Sequence, residues 1–166
     1  MTRRHRRAHR PVDRAALIAR LHRGLRPKLD RSQITDLALA HTTNYDLIRT
    51  GQADEAVLWQ WVGGMLTWYR VAELLELGVP EMHAQLLLAE AVLQRYGRTG
   101  RIGVSGPELQ AAAEGVLIMD QLAQAVDRAT AIRAADWSET LVAEMVREGT
   151  ARVRLEPVRA DTEAGS

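Results

Sequence analysis

The chain contains no cysteine. That excludes disulfides, a thiolate zinc site and a cysteine nucleophile, and makes a cytoplasmic protein the expectation. Aromatic residues are scarce, with four Trp and three Tyr, too few for a platform on which successive bases could stack. No apolar run approaches the ~18 residues that would cross a bilayer, so neither a membrane span nor a membrane partner is expected. The basic N-terminus lacks the apolar h-region of a signal peptide. Lysine is nearly absent, Lys28 being the only one among 22 basic residues. GC-rich codon usage accounts for this, although guanidinium also suits bidentate contact with phosphate. Also missing are H-E-x-x-H, an E-x-x-H pair for a helical di-metal site, the G-K-[ST] of a P-loop and any catalytic triad. No catalytic residue, metal ligand or cofactor is assigned, and the chain is not expected to be an enzyme.

What is present fits one folded unit. The 166 residues are 46% apolar and 26% charged, enough to bury a core. The net charge of +1 conceals two opposite halves. Residues 1–31 hold eleven basic and two acidic residues, or +9, while the rest hold eleven basic and nineteen acidic, or −8. A basic arm on an acidic body implies a charged partner for one of them. The competing reading lays the arm on its own body.

Periodicity argues for helices throughout. "MTRRHRRAHRP" has none, and residues 1–12 are expected to be a disordered Arg-rich arm. "VDRAALIARLHRGLRP" predicts a short helix from Asp13 with Leu17, Ile18 and Leu21 on one face, ended by Gly24 and Pro27. A second helix starts with Ser32 as cap and stops at Gly51, its stripe running through Ile34, Leu37, Ala38, His41, Tyr45 and Ile48. On that stripe His41 reads as a satisfied core histidine. Asp54 caps a third, and Gly78 takes its C′ position. Leu58, Trp61, Met65, Trp68, Ala72 and Leu75 step by three and four along it, while Val57, Val62, Leu66, Tyr69 and Leu74 make its remaining surface apolar too. A helix apolar all round belongs in the middle of a bundle. Gly63 and Gly64 each cost ~1 kcal/mol there, which suits a neighbour crossing closely or else a kink. After Pro80, Met82, Leu86, Ala89, Leu93 and Tyr96 form another stripe. Ser105 and Glu108 have capping-box spacing. A weak break is expected near Thr130, with Trp137, Leu141 and Met145 docking the last helix and Gly149 closing it. Residues 150–166 are expected to be a flexible tail, with an extended piece near Arg152 to Leu155. The fold class is all-α, a single-domain bundle of about five to six helices over residues 13–149.

Three features carry chemistry. Trp59 and Trp61 lie ~200° apart on a helix, so the aromatic cluster reads as core, with Trp59 the ring left exposed for a partner. "RYGRTGRIGVSG" repeats glycine every third residue, with Arg95, Arg98 and Arg101 in the same period, and leads into a helix N-terminus where orphan N–H groups favour phosphate. Against that stands a mobile connection or tight hairpin kept soluble by arginine. The arm, with Arg3, Arg4, Arg6, Arg7 and Arg10, is the strongest functional signal, since several guanidiniums neutralising phosphates give salt-sensitive affinity without sequence preference; the equal alternative is a merely solvated terminus.

Two resemblances follow from particular stretches. "RVAELLELGVPEMHAQLLLAE" resembles the helix-turn-helix of bacterial regulators over about twenty residues. However, six positions separate Ala72 from Gly78 where that family has four, and Glu81 and Glu90 would meet phosphates. An ordinary α-hairpin is the better reading. "LWQWVGGMLTW" and "VDRATAIRAADWSE" resemble small uncharacterised helical proteins of phages and integrated mobile elements of GC-rich proteobacteria. That resemblance implies work on host machinery, either gene regulation through nucleic acid or inhibition of a host defence protein through the acidic body. It brings no catalytic residues. Surplus apolar helix surface would also allow a homodimer.

Overall fold

The structure is a computed structural model that describes residues 27–149, and within them the fold is all-α. Five helices follow one another: α1 Arg31–Arg49, α2 Glu55–Leu75, α3 Val79–Thr99, α4 Gly106–Ala125 and α5 Arg128–Glu148. Among the described residues there is no strand, and no helix is long and apolar enough to cross a membrane. The basic arm, the helix expected from Asp13 and the tail lie outside the described residues.

The local signals place most boundaries and shift a few. Asp30, rather than Ser32, caps α1, because its carboxylate accepts from the Gln33 N–H at 2.9 Å and the Gln33 side chain accepts from the Asp30 N–H at 3.1 Å. Asp54 caps α2 as expected. The left-handed residue that ends α2 is Glu76 (φ 53°), while Gly78 (φ 66°) opens α3 instead of closing α2. Gly78 is needed there for a second reason: a Cβ would stand 2.9 Å from Ile118 of α4. The last break falls at Val126–Asp127, three to four residues before Thr130. Asp127 accepts from the Thr130 backbone and hydroxyl, which starts α5 afresh.

Helix α2 is the centre. It packs against α1, α3, α4 and α5, while α5 packs on α2 alone among the described helices. Leu58, Trp61, Val62, Met65, Leu66, Val71 and Ala72 are fully buried as a result. Each large one contributes about 1.5–3 kcal/mol relative to exposure. The two glycines mark close crossings rather than a kink, since the helix is continuous. A Cβ on Gly63 would meet Val142 of α5, and one on Gly64 would meet His41 of α1, both at 3.6 Å. The α2–α5 seam also holds a hydroxyl contact, Thr67 Oγ1 to Ser138 Oγ at 2.7 Å. On one flank the Arg70 guanidinium lies 5.5 Å from the centre of the Trp137 ring.

Helices α2 and α3 run antiparallel along their whole length. Tyr96 reaches Glu55 at one end, and Tyr69 stacks obliquely on His83 near the other. This is the α-hairpin expected from the spacing around Gly78. Across the bundle, the Tyr45 hydroxyl donates to the Leu109 carbonyl at 3.0 Å, tying α1 to α4. His41 is buried at this seam but is not satisfied, because its Nε2 has no hydrogen-bond partner. It borders a crevice of about 10 Å³, with Trp68, Met119 and Asp120 around it. Desolvation lowers its pKa to about 4, so the ring is neutral at pH 7.

Candidate nucleic-acid interface

Arg95, Arg98 and Arg101 were grouped by their spacing, and the fold divides them. Helix α3 runs through Gly97 to Thr99 and stops at Gly100, whose φ of 66° suits glycine. The connection is therefore six residues, 100–105, shorter than the glycine repeat suggests. Arg95 is committed inward. One of its terminal nitrogens donates to the Gly103 carbonyl at 2.6 Å, and the other meets Glu108 Oε1 at 2.5 Å. The second Glu108 oxygen accepts from the Ser105 N–H at 2.6 Å. Arg95, first of several causes, holds the Glu108 carboxyl below its usual pKa. A carboxylate of the chain itself thus sits at the N-terminus of α4, the place the sequence offered to phosphate.

Arg98 and Arg101 behave differently. Both are exposed, and neither guanidinium makes a hydrogen bond or ion pair within the described residues. Arg101 borders an open cleft of about 490 Å³ with Gly51, Asp54, Glu55, Tyr96 and Ile102. Glu55 accepts from the Tyr96 hydroxyl at 3.2 Å and, through its other oxygen, from the Trp59 indole N–H at 3.4 Å. That hydrogen bond to a carboxylate holds the Tyr96 phenol above its usual pKa. Trp59, expected to be exposed, is half-buried against the core. The structure brings Trp59 and Arg101 to one end of the bundle around Glu55.

The arm joins at the opposite end. Arg3, Arg4, Arg6, Arg7 and Arg10 lie outside the described residues, but the point where the chain enters the bundle is defined. The Arg128 N–H donates to the Pro27 carbonyl at 3.0 Å, and Lys28 pairs with Asp127 through a β-bridge. Three exposed cations surround this root: Lys28, Arg31 and Arg128. Helix α3 spans the bundle between the two ends, so at 1.5 Å per residue the root and the Arg98–Arg101 corner stand about 30 Å apart. Sequence reasoning missed Arg128. Asp127 and Thr130 have N-cap spacing, and recognising that would have placed Arg128 at the first position of a helix.

Residues 27–149 carry ten basic and seventeen acidic residues, or −7. Among the described residues no three His, Asp or Glu side chains gather as a metal ion would require. Compared with protein-family models, curated proteins and solved structures, the chain matches none.

Proposed function

We propose that this protein is a non-catalytic helical regulator, of the kind carried by a phage or mobile element, that contacts nucleic acid through its Arg-rich N-terminal segment. Arg3, Arg4, Arg6, Arg7 and Arg10 are the main phosphate contacts. Lys28, Arg31 and Arg128 extend that surface onto the bundle, and Arg98 with Arg101 form a second, smaller contact at the far end. Arg95 is left out, since Glu108 already neutralises it.

The observation that carries this reading is the segregation of charge. Residues 1–26 hold nine arginines and one aspartate, or +8, and they enter the bundle beside three exposed cations, while the body is −7. A polyanion is attracted most strongly at that root and repelled along the sides of the acidic body. The acidic body favours a second reading, an inhibitor that occupies the basic nucleic-acid groove of a host protein, where complementary charge speeds encounter.

A mobility-shift titration against salt tests the first reading. Five phosphates neutralised by the arm predict a log–log slope about 4.5 steeper than in the variant with all five arginines changed to Ala. Equal slopes in the two proteins would remove the arm from the interface. Arg98→Ala with Arg101→Ala should weaken binding without lowering the melting temperature, because neither side chain is bonded to another of the described residues. Capture of one basic host protein after nuclease treatment, with no mobility shift, would favour the inhibitor.

A further inference from the structure

The cleft at the Arg101 end of the bundle holds opposite charges that do not pair. It measures about 490 Å³, within the roughly 300–1,000 Å³ of small-molecule sites. Arg101 lines it from the connection after α3, and Asp54 with Glu55 line it from the start of α2. No ion pair joins Arg101 to either carboxylate. A ligand with an anionic group and a donor edge would satisfy both sides at once.

The two carboxylates differ in how far they are engaged. Asp54 is committed to capping α2, accepting from the Val57 N–H at 2.9 Å. Glu55 is exposed, and only part of its capacity is used. One of its oxygens accepts from the Tyr96 hydroxyl at 3.2 Å, the other from the Trp59 indole N–H at 3.4 Å. Both contacts are long, and each carboxylate oxygen has a second lone pair. Two neighbouring acceptors on one negative charge therefore stay open to two parallel N–H donors. The rest of the lining is half-buried Ala53, Ile102 and Tyr96, with Gly51 and Gly100, where a Cβ would meet nothing within 4 Å. That leaves room for one flat ring.

We propose that this cleft receives one unpaired guanine nucleotide, its Watson–Crick edge on Glu55 and its phosphate on Arg101. Among the common bases guanine alone presents two adjacent N–H donors on that edge, the ring N1–H and the exocyclic amine. Adenine, cytosine and uracil each present one. Pairing covers the edge in a duplex, so the contact selects single strands or splayed ends. Glu55, which would repel a bare phosphate, attracts the donor edge of a base. The inference rests on the nucleic-acid reading for the polymer that carries the nucleotide, and it makes the Arg98–Arg101 corner a reader of sequence as well as a phosphate contact.

The test is an NMR titration of the isotope-labelled full-length protein with free mononucleotides, which are too small to bridge the cleft and the arm. Guanosine monophosphate should move the amide resonances of Gly51, Ala53, Gly100 and Ile102. It should bind about 10-fold tighter than inosine monophosphate, which lacks only the exocyclic amine. Glu55→Gln should bring the two nucleotides to equal affinity. Arg101→Ala, a change at an exposed side chain, should weaken guanosine monophosphate and leave guanosine unaffected. Equal affinity for the two nucleotides, no shift at the cleft, or a guanine preference that survives Glu55→Gln would each overturn the site. The outcomes also separate it from the arm. A guanine preference with no salt-dependent mobility shift upholds the cleft and removes the arm, and a salt-dependent shift with no guanine preference does the reverse.

Discussion

Changing Gly115 to Ala should destabilise this protein, against the usual effect of that substitution inside a helix. Gly115 lies mid-way along α4, where replacing glycine by alanine normally gains ~1 kcal/mol. Here a Cβ would stand 2.4 Å from both Cδ and Oε1 of Gln85, and 2.9 Å from its Cγ. Gln85 comes from α3, is 5% exposed, and donates from Nε2 to the Ala111 carbonyl at 2.9 Å. Either the amide gives up Ala111 and is buried without a partner, at a cost of about 1–3 kcal/mol, or α3 and α4 separate, at a similar cost. Set against the propensity gain of ~1 kcal/mol, the expected net loss is up to about 2 kcal/mol. For a chain of this size that lowers the melting temperature by up to roughly 8 °C. Circular dichroism at the helical minimum reads the shift, and a second background decides its cause. With Gln85→Ala already in place the new methyl group meets no amide, so Gly115→Ala should there be neutral or stabilising by up to ~1 kcal/mol. A change of sign between the two backgrounds is a coupling of about 1–3 kcal/mol, as expected for side chains in direct contact. Stabilisation of the unaltered protein by Gly115→Ala, or the same shift in both backgrounds, would refute the reasoning.

His41 should make the fold acid-sensitive in a defined window. Above pH 6.5 the ring is neutral in both folded and unfolded chains and has no effect. Between pH 6.5 and about 4 only the unfolded chain takes the proton, so stability falls by ~1.4 kcal/mol per unit, reaching about 3 kcal/mol once both states are protonated. His41→Leu should flatten that part of a urea-unfolding profile, and an unchanged slope would show that His41 does not carry it. Glu76 holds a left-handed conformation that costs a non-glycine residue ~1 kcal/mol or more. Glu76→Gly should therefore raise the melting temperature by about 2–4 °C, as read by calorimetry; a fall would mean that the carboxylate contributes something its exposure does not suggest.

The parts of the fold legible in the sequence were those set by short-range pattern. The all-round apolar surface of residues 57–75 required a helix with neighbours on every side, and α2 has four. Asp54 and Gly149 announced helix ends because a cap is a contact over three or four residues. Where two short-range signals competed, the reading slipped. Ser32 lay close enough to Asp30 to be mistaken for the cap, and the apolar pattern continuing through Val126 and Ala131 masked the new start at Asp127. Gly78 was assigned to the wrong helix end because the turn holds two left-handed residues, Glu76 and Gly78, and only the second is glycine.

The candidate interface was less legible, for a different reason. Whether an arginine is free depends on what stands opposite it, and that is a long-range fact. Arg95, Arg98 and Arg101 look alike at their three-residue spacing, yet one turn of helix separates an Arg95 held between Gly103 and Glu108 from an Arg98 open to solvent. The root of the arm and the loop likewise share a charge but not a location, because the up-and-down order of the helices puts them at opposite ends. That separation constrains how a polyanion could lie. The net charge of −7 over residues 27–149 opposes an approach along the sides, so attraction is confined to the two ends. About 30 Å of helix between them corresponds to roughly nine base pairs at ~3.4 Å per pair. A duplex touching both ends would have to pass the acidic body lengthwise, and each phosphate there would meet repulsion. The root of the arm, with Lys28, Arg31 and Arg128 around it, is where a single contact is electrostatically favoured, and the Arg98–Arg101 corner is better placed to meet a second strand than to extend the first.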